Sequence, residues 1–70
     1  MKISARNKLK GKVLRITEGS VNTEVVIELA PGIEITSIIT KTSAEELEIA
    51  VGKKVYAVVK ASNVLVGVDH

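Results

Sequence analysis

The chain has 70 residues, 46% of them hydrophobic and 26% charged, a balance that fits one globular domain covering residues 1–70. It has no cysteine, one histidine (His70) and one aspartate (Asp69). Disulfide staples, thiolate metal sites, His-based triads and His/Asp metal clusters are therefore excluded within one chain. The net charge of +2 falls short of the basic stripe that a nucleic acid demands.

Valine, isoleucine and threonine supply 24 residues, phenylalanine and tryptophan are absent, and Tyr56 is the only aromatic residue. Such a β-branched excess predicts strands. No apolar run is long enough to span a membrane, and Met1-Lys2-Ile3-Ser4 lacks the apolar core of a signal peptide, so a cytoplasmic protein is expected. Chains this short rarely bury enough apolar surface to stand alone, and without metal, disulfide or large aromatic side chains this one is expected to oligomerise.

The first predicted strand, Leu9 to Ile16, sets Leu9, Gly11 and Val13 against Lys8, Lys10 and Lys12. Gly11 there marks a bulge or a close backbone approach. After a turn at Glu18-Gly19-Ser20 comes the clearest alternation: Val21, Thr23, Val25, Ile27 and Leu29 against Asn22, Glu24, Val26 and Glu28. Ala30-Pro31-Gly32 fits a type II turn and leads into a third strand with Ile33, Ile35, Ser37 and Ile39 on one face. The period then changes. Ser43-Ala44-Glu45-Glu46 has the spacing of a capping box, which predicts a helix of about two turns starting at Ser43 and stopped by Gly52. Val55, Ala57, Val59 and Ala61 form a fourth strand, and after Ser62-Asn63 the run Val64 to Val68 forms a fifth. The order is that of an all-β, five-stranded, OB-like Greek-key barrel with one short helix between strands 3 and 4. An SH3-like barrel competes with it, since strand count does not separate the two.

Nucleic-acid binding on such a barrel uses several aromatic stacking platforms, and only Tyr56 is available. Gly52-Lys53-Lys54 follows the helix instead of preceding it, so it reads as a helix stop and not as a phosphate loop. Glu45-Glu46 reads as helix capping on a first turn and not as a catalytic pair. Three segments stand out: Ser4-Ala5-Arg6-Asn7, Thr40-Lys41-Thr42-Ser43 and Lys60-Ala61-Ser62-Asn63. Each combines hydroxyls or amides with a cation, none contains a carboxylate, and each falls at a strand end. A donor-only set suits a fully deprotonated oxyanion and disfavours monohydrogen phosphate, whose proton would find no acceptor. Ordinary caps, turns and solvated cations are the alternative explanation.

In these segments (Ser-Ala-Arg-Asn-x-Leu-x-Gly-x-Val from Ser4, Ile-Thr-x-x-Ser from Ile39, Lys-Ala-Ser-x-Val from Lys60) and in Val-Asn-x-Glu-Val-x-Ile-Glu-Leu from Val21, the chain resembles the molbindins. These are small cytoplasmic molybdate- and tungstate-binding proteins built from one Mop domain, a relative of the TOBE domain. The resemblance covers nearly the whole chain, with three weak motifs in order at the family's spacing. It implies a hexamer, a trimer of dimers, that binds molybdate or tungstate between subunits without catalysis or a catalytic cofactor. Position by position, Ser4, Arg6, Thr40, Ser43, Lys60, Ser62 and the amide of Ala61 are the implied oxyanion ligands. The turn Gly19, Ser20, Val21 and Asn22 is matched to a second type of anion site. Lys41, Thr42 and the tail through His70 depart from the family pattern. Two rivals remain: an OB-fold nucleic-acid module, and a molybdate-sensing regulatory subunit with a protein partner.

Overall fold

The computed structural model describes residues 4–69. Met1–Ile3 and His70 lie outside it, and with them the expectations about a leaderless start and the last residue of the tail. The chain forms four strands, β1 (Asn7–Glu18), β2 (Asn22–Ala30), β3 (Ile33–Thr40) and β4 (Lys54–Val59), and one helix, α1 (Lys41–Glu46). All pairings are antiparallel and the spatial order is β3-β2-β1-β4. The helix between β3 and β4 places the fold with OB-like barrels, as the element order suggests.

β1 serves two neighbours. Its first half, Asn7 to Lys12, pairs with β4, and its second half, Lys12 to Glu18, pairs with β2. A register shift between Val13 and Arg15 bends the strand where it passes from one partner to the other. The alternation read from the sequence then sets the core. Val13, Val25, Ile27 and Ala57 are buried, with Ile16, Leu29, Ile35, Ile39, Ile49 and Val55 packed against them. Each valine, isoleucine or leucine among them contributes about 1.5–3 kcal/mol on full burial. Gly11 turns out to be a close approach and not the bulge: a Cβ there would lie 2.7 Å from the Glu28 carbonyl oxygen and 2.5 Å from Ile27 Cγ2. At the Pro31-Gly32 turn Gly32 has φ +79°, as a type II turn requires at its third position.

Two expectations are corrected. The fifth strand does not form within the chain. After a short 3-10 turn at Ala61–Asn63, Val64–Val68 belongs to no sheet, and Leu65 is 91%, Val66 92% and Val68 82% exposed. β3 and β4 consequently remain as open edges. The helix begins three residues earlier than the capping box suggests. Thr40 is its N-cap, accepting from the Ser43 amide at 3.0 Å, so Ser43 lies inside the first turn and Glu45-Glu46 in the last. Thr40 wins because β3 holds it opposite Asn22, while the next amide, Lys41, donates to the Val21 carbonyl at 2.9 Å. The helix ends before Gly52. Glu48 takes φ +54°, and the Lys53 ammonium donates to the Leu47 and Glu48 carbonyls at 2.6 and 3.2 Å. Gly52, at φ +89°, makes the following turn into β4.

The Gly11→Ala variant is expected to lose about 1–3 kcal/mol of stability, because its methyl meets backbone that cannot swing aside. Denaturant unfolding of the variant beside the parent protein measures this, and an unchanged midpoint would show that β1 and β2 can separate at no cost.

Candidate functional site

The three donor-rich segments occupy two places. Ser4, Ala5 and Arg6 lead into β1, whose first residue, Asn7, is paired with Val59, the last residue of β4. Lys60 and the 3-10 turn Ala61–Asn63 follow directly, so Ser4, Arg6, Lys60, Ala61 and Ser62 share one end of the β1–β4 ribbon. Thr40 and Ser43 are elsewhere. Thr40 pairs with Asn22 at the start of β2, just past the partner of Glu18, at the far end of β1. The whole of that twelve-residue strand, at about 3.3 Å per residue, separates the two groups. A tetrahedral anion accepts hydrogen bonds only from donors within about 3 Å of its oxygens. No single anion reaches both groups in one chain.

Each end is chemically distinct. At the first, Ser4, Arg6, Lys60, Ala61 and Ser62 are all exposed, and the two cations enter no ion pair among the described residues. The 3-10 turn closes with the Asn63 amide on the Lys60 carbonyl at 2.9 Å and the Val64 amide on the Ala61 carbonyl at 3.2 Å. No side chain caps it, and these closing bonds do not use the amides of Ala61 and Ser62. At the second, the hydroxyls form a chain. Thr40 accepts from the Ser43 amide and donates its one proton to Ser43 Oγ at 2.8 Å. That leaves the Ser43 hydroxyl proton, and not that of Thr40, free for an outside acceptor.

The Gly19–Asn22 turn adjoins this second end. The Gly19 amide is spent on the Asn22 carbonyl at 2.7 Å, and the Val21 carbonyl holds the Lys41 amide. Beside it the Thr23 hydroxyl, in a residue only 1% exposed, finds no partner and faces a cavity of about 110 Å³ lined by Glu18, Lys41, Glu45 and Glu48. Three carboxylates make that cavity hostile to an anion. No group of three or more acidic or imidazole side chains is arranged to hold a metal cation among the described residues.

Sequence reasoning missed one constellation. Lys10, Lys12, Lys54 and Tyr56 line a second cleft, signalled only by the lysine at every other position from Lys8 to Lys12.

Comparison with known proteins adds a frame to this geometry. The TOBE domain model matches residues 3–66. A probable molybdenum-pterin-binding protein of Haemophilus influenzae is 49% identical over 69 residues, covering 99% of this chain and all of the relative. The solved structure of MopII from Clostridium pasteurianum superposes with a TM-score of 0.89 at 49% identity, over 96% of this chain and 100% of that one. A molybdate-binding protein from Sporomusa ovata superposes with a TM-score of 0.88 at 41% identity, over 94% and 97% of the two chains.

Replacing Thr40 by Val removes the cap and is expected to cost about 1 kcal/mol, whereas Thr40→Ser retains most of it. Urea unfolding of both variants distinguishes the hydroxyl from the methyl. Equal losses would mean that Thr40 acts through packing instead of through the Ser43 amide.

Proposed function

The chain belongs to the TOBE domain family, in the Mop branch that these relatives represent, and on that premise we propose that it binds molybdate or tungstate between subunits of a homo-oligomer. What carries this proposal is the separation of the two donor groups by the length of β1. Where one chain presents Ser4, Arg6, Lys60, Ala61 and Ser62 to another chain's Thr40 and Ser43, a tetrahedral dianion meets donors on every side. Arg6 and Lys60 offset its two charges. Ser4, Ser62, the Ala61 amide and Ser43 supply oriented N–H and O–H groups, with Thr40 fixing the direction of the Ser43 hydroxyl. Donors held by strands and by a second subunit lose little freedom on binding. Monohydrogen phosphate is rejected because its proton meets only donors. Sulfate shares the charge and acceptor pattern of molybdate, so size has to exclude it. The Gly19–Asn22 turn, next to Thr40, is the proposed second anion site.

The tail supports assembly. A groove of about 520 Å³ runs between the open edges of β3 and β4, lined by Val25, Ile27, Ile39, Leu47, Val55 and Val58 among others. Val64–Val68 lies outside any sheet with four large apolar side chains exposed. Seating the tail of a second copy in this groove supplies the missing strand, pairs the edges and buries those side chains. A trimer of such dimers is the proposed hexamer. The role proposed is cytoplasmic binding and storage, with no catalytic step; among the described residues no helix is long and apolar enough to cross a membrane.

Subunit mixing tests the composite site. Arg6→Ala and Ser43→Ala chains are each expected to lose molybdate binding in isothermal titration. Unfolded, mixed in equal amounts and refolded together, they should regain about a quarter of the parent's sites, since intact ends then meet at a quarter of the interfaces. A mixture that stays silent while the parent refolds to full binding would place both halves of the site in one chain.

A further inference from the structure

The small cavity beside Thr23 is opposite in character to the oxyanion segments and uses none of their proposed ligands. Glu18, the last residue of β1, is paired directly with Thr23 on β2, which sets their Cβ atoms about 4.5–5.5 Å apart on one face. Lys41, Ala44 and Glu45, at helical spacing on one face of α1, form a second wall. Past the helix Glu48 turns back at φ +54°, with its amide on the Glu45 carbonyl at 3.0 Å, and adds a third carboxylate. Thr23 is 1% exposed and its Oγ1 has no hydrogen-bond partner. A buried hydroxyl left unpaired is a cost that valine, of nearly the same shape, avoids. Lys41 does not fill the gap, since it enters no ion pair among the described residues. Three carboxylates against one ammonium leave the cavity with a surplus of two negative charges.

We propose that this cavity binds a divalent cation that keeps part of its water, of the magnesium type. The charge of such an ion equals the surplus. The three carboxylates are not arranged as a metal cage of their own. That disfavours calcium, which takes about six to eight oxygen ligands, and suits magnesium, which is held by one or two carboxylates and retains several waters. A volume of about 110 Å³ admits about three waters at roughly 30 Å³ each. Thr23 Oγ1 gives its lone pair to the ion or accepts from one of its waters, with Glu18 beside it. Glu45 and Glu48 accept from the remaining waters. The Lys41 ammonium is the built-in competitor for the same carboxylates.

The native protein, stripped of metal with a chelator and kept free of oxyanions, is titrated with manganese chloride as a spectroscopic substitute for magnesium. Free Mn²⁺ is read by electron paramagnetic resonance. Expected is one saturable site per chain, emptied by magnesium at a lower concentration than by calcium. The Glu18→Gln and Thr23→Val variants should each weaken Mn²⁺ binding at least about tenfold. Lys41→Gln should strengthen it at least about threefold, because a cation leaves the cavity wall. Without metal, Thr23→Val should melt no lower than the parent, since it removes the orphaned hydroxyl and keeps the shape, so its loss of binding is not a loss of fold. Arg6→Ala, which bears on the oxyanion site alone, should bind Mn²⁺ like the parent. No saturable site, displacement by calcium ahead of magnesium, Glu18→Gln or Thr23→Val binding like the parent, or Lys41→Gln binding no better would each overturn the proposal.

Discussion

One strand hydrogen-bonds to two neighbours in succession, and the rest of the molecule follows from that. β1 gives its first half to β4 and its second half to β2, changing partner at Lys12, just before the irregularity that follows Val13. Gly11 lets the backbones of β1 and β2 approach where any side chain would strike the Glu28 carbonyl. The buried Val13 follows immediately and anchors the core against Val25, Ile27 and Ala57. The same strand keeps two groups of hydrogen-bond donors apart. Arg6 and Lys60 are fixed at its start and Thr40 and Ser43 beyond its end, so the spacing of the site is a property of the core.

That spacing and the unpaired tail point in one direction. Five buried hydrophobic residues among those described, four of them in one cluster, are a small core, and stability in chains of this size commonly rests on partners. Here the apolar surface left over is organised: a groove between two open strand edges, and a five-residue segment with no sheet of its own. In the proposed assembly, the step that completes the barrel also brings complementary ends of different chains together. Anion binding and assembly are then coupled, because whatever binds only the assembled state stabilises it by mass action.

Much of the fold was legible because strands declare themselves locally. The alternation placed Thr23, Val25, Ile27 and Leu29 of β2 and Ile35, Ser37 and Ile39 of β3 on the inner face as the structure has them, but Val21 and Ile33 at the strand starts are exposed and Val26, read as outward, is buried; Pro31-Gly32 announced the turn between the strands. Val64–Val68 misled for the same reason. A run of β-branched residues states a preference for pairing but not which chain provides the partner edge. The helix start was missed by three residues because Thr40 and Ser43 are both good caps, and the choice was made by tertiary contacts at Asn22 and Val21. The site residues were legible as types, since hydroxyls and cations free of carboxylates recur in three short segments. Their division between two ends of the molecule was not, because it depends on which strands pair across long separations in sequence.

Native mass spectrometry of the protein, alone and with molybdate, tungstate, sulfate or phosphate, tests the composite site most directly. Expected is a hexamer that gains mass in steps of molybdate or tungstate and not of sulfate or phosphate, with the anion retained only by assembled species. A monomer that takes up molybdate one-to-one, or a hexamer that takes up none, would contradict a binding site built from the ends of two chains.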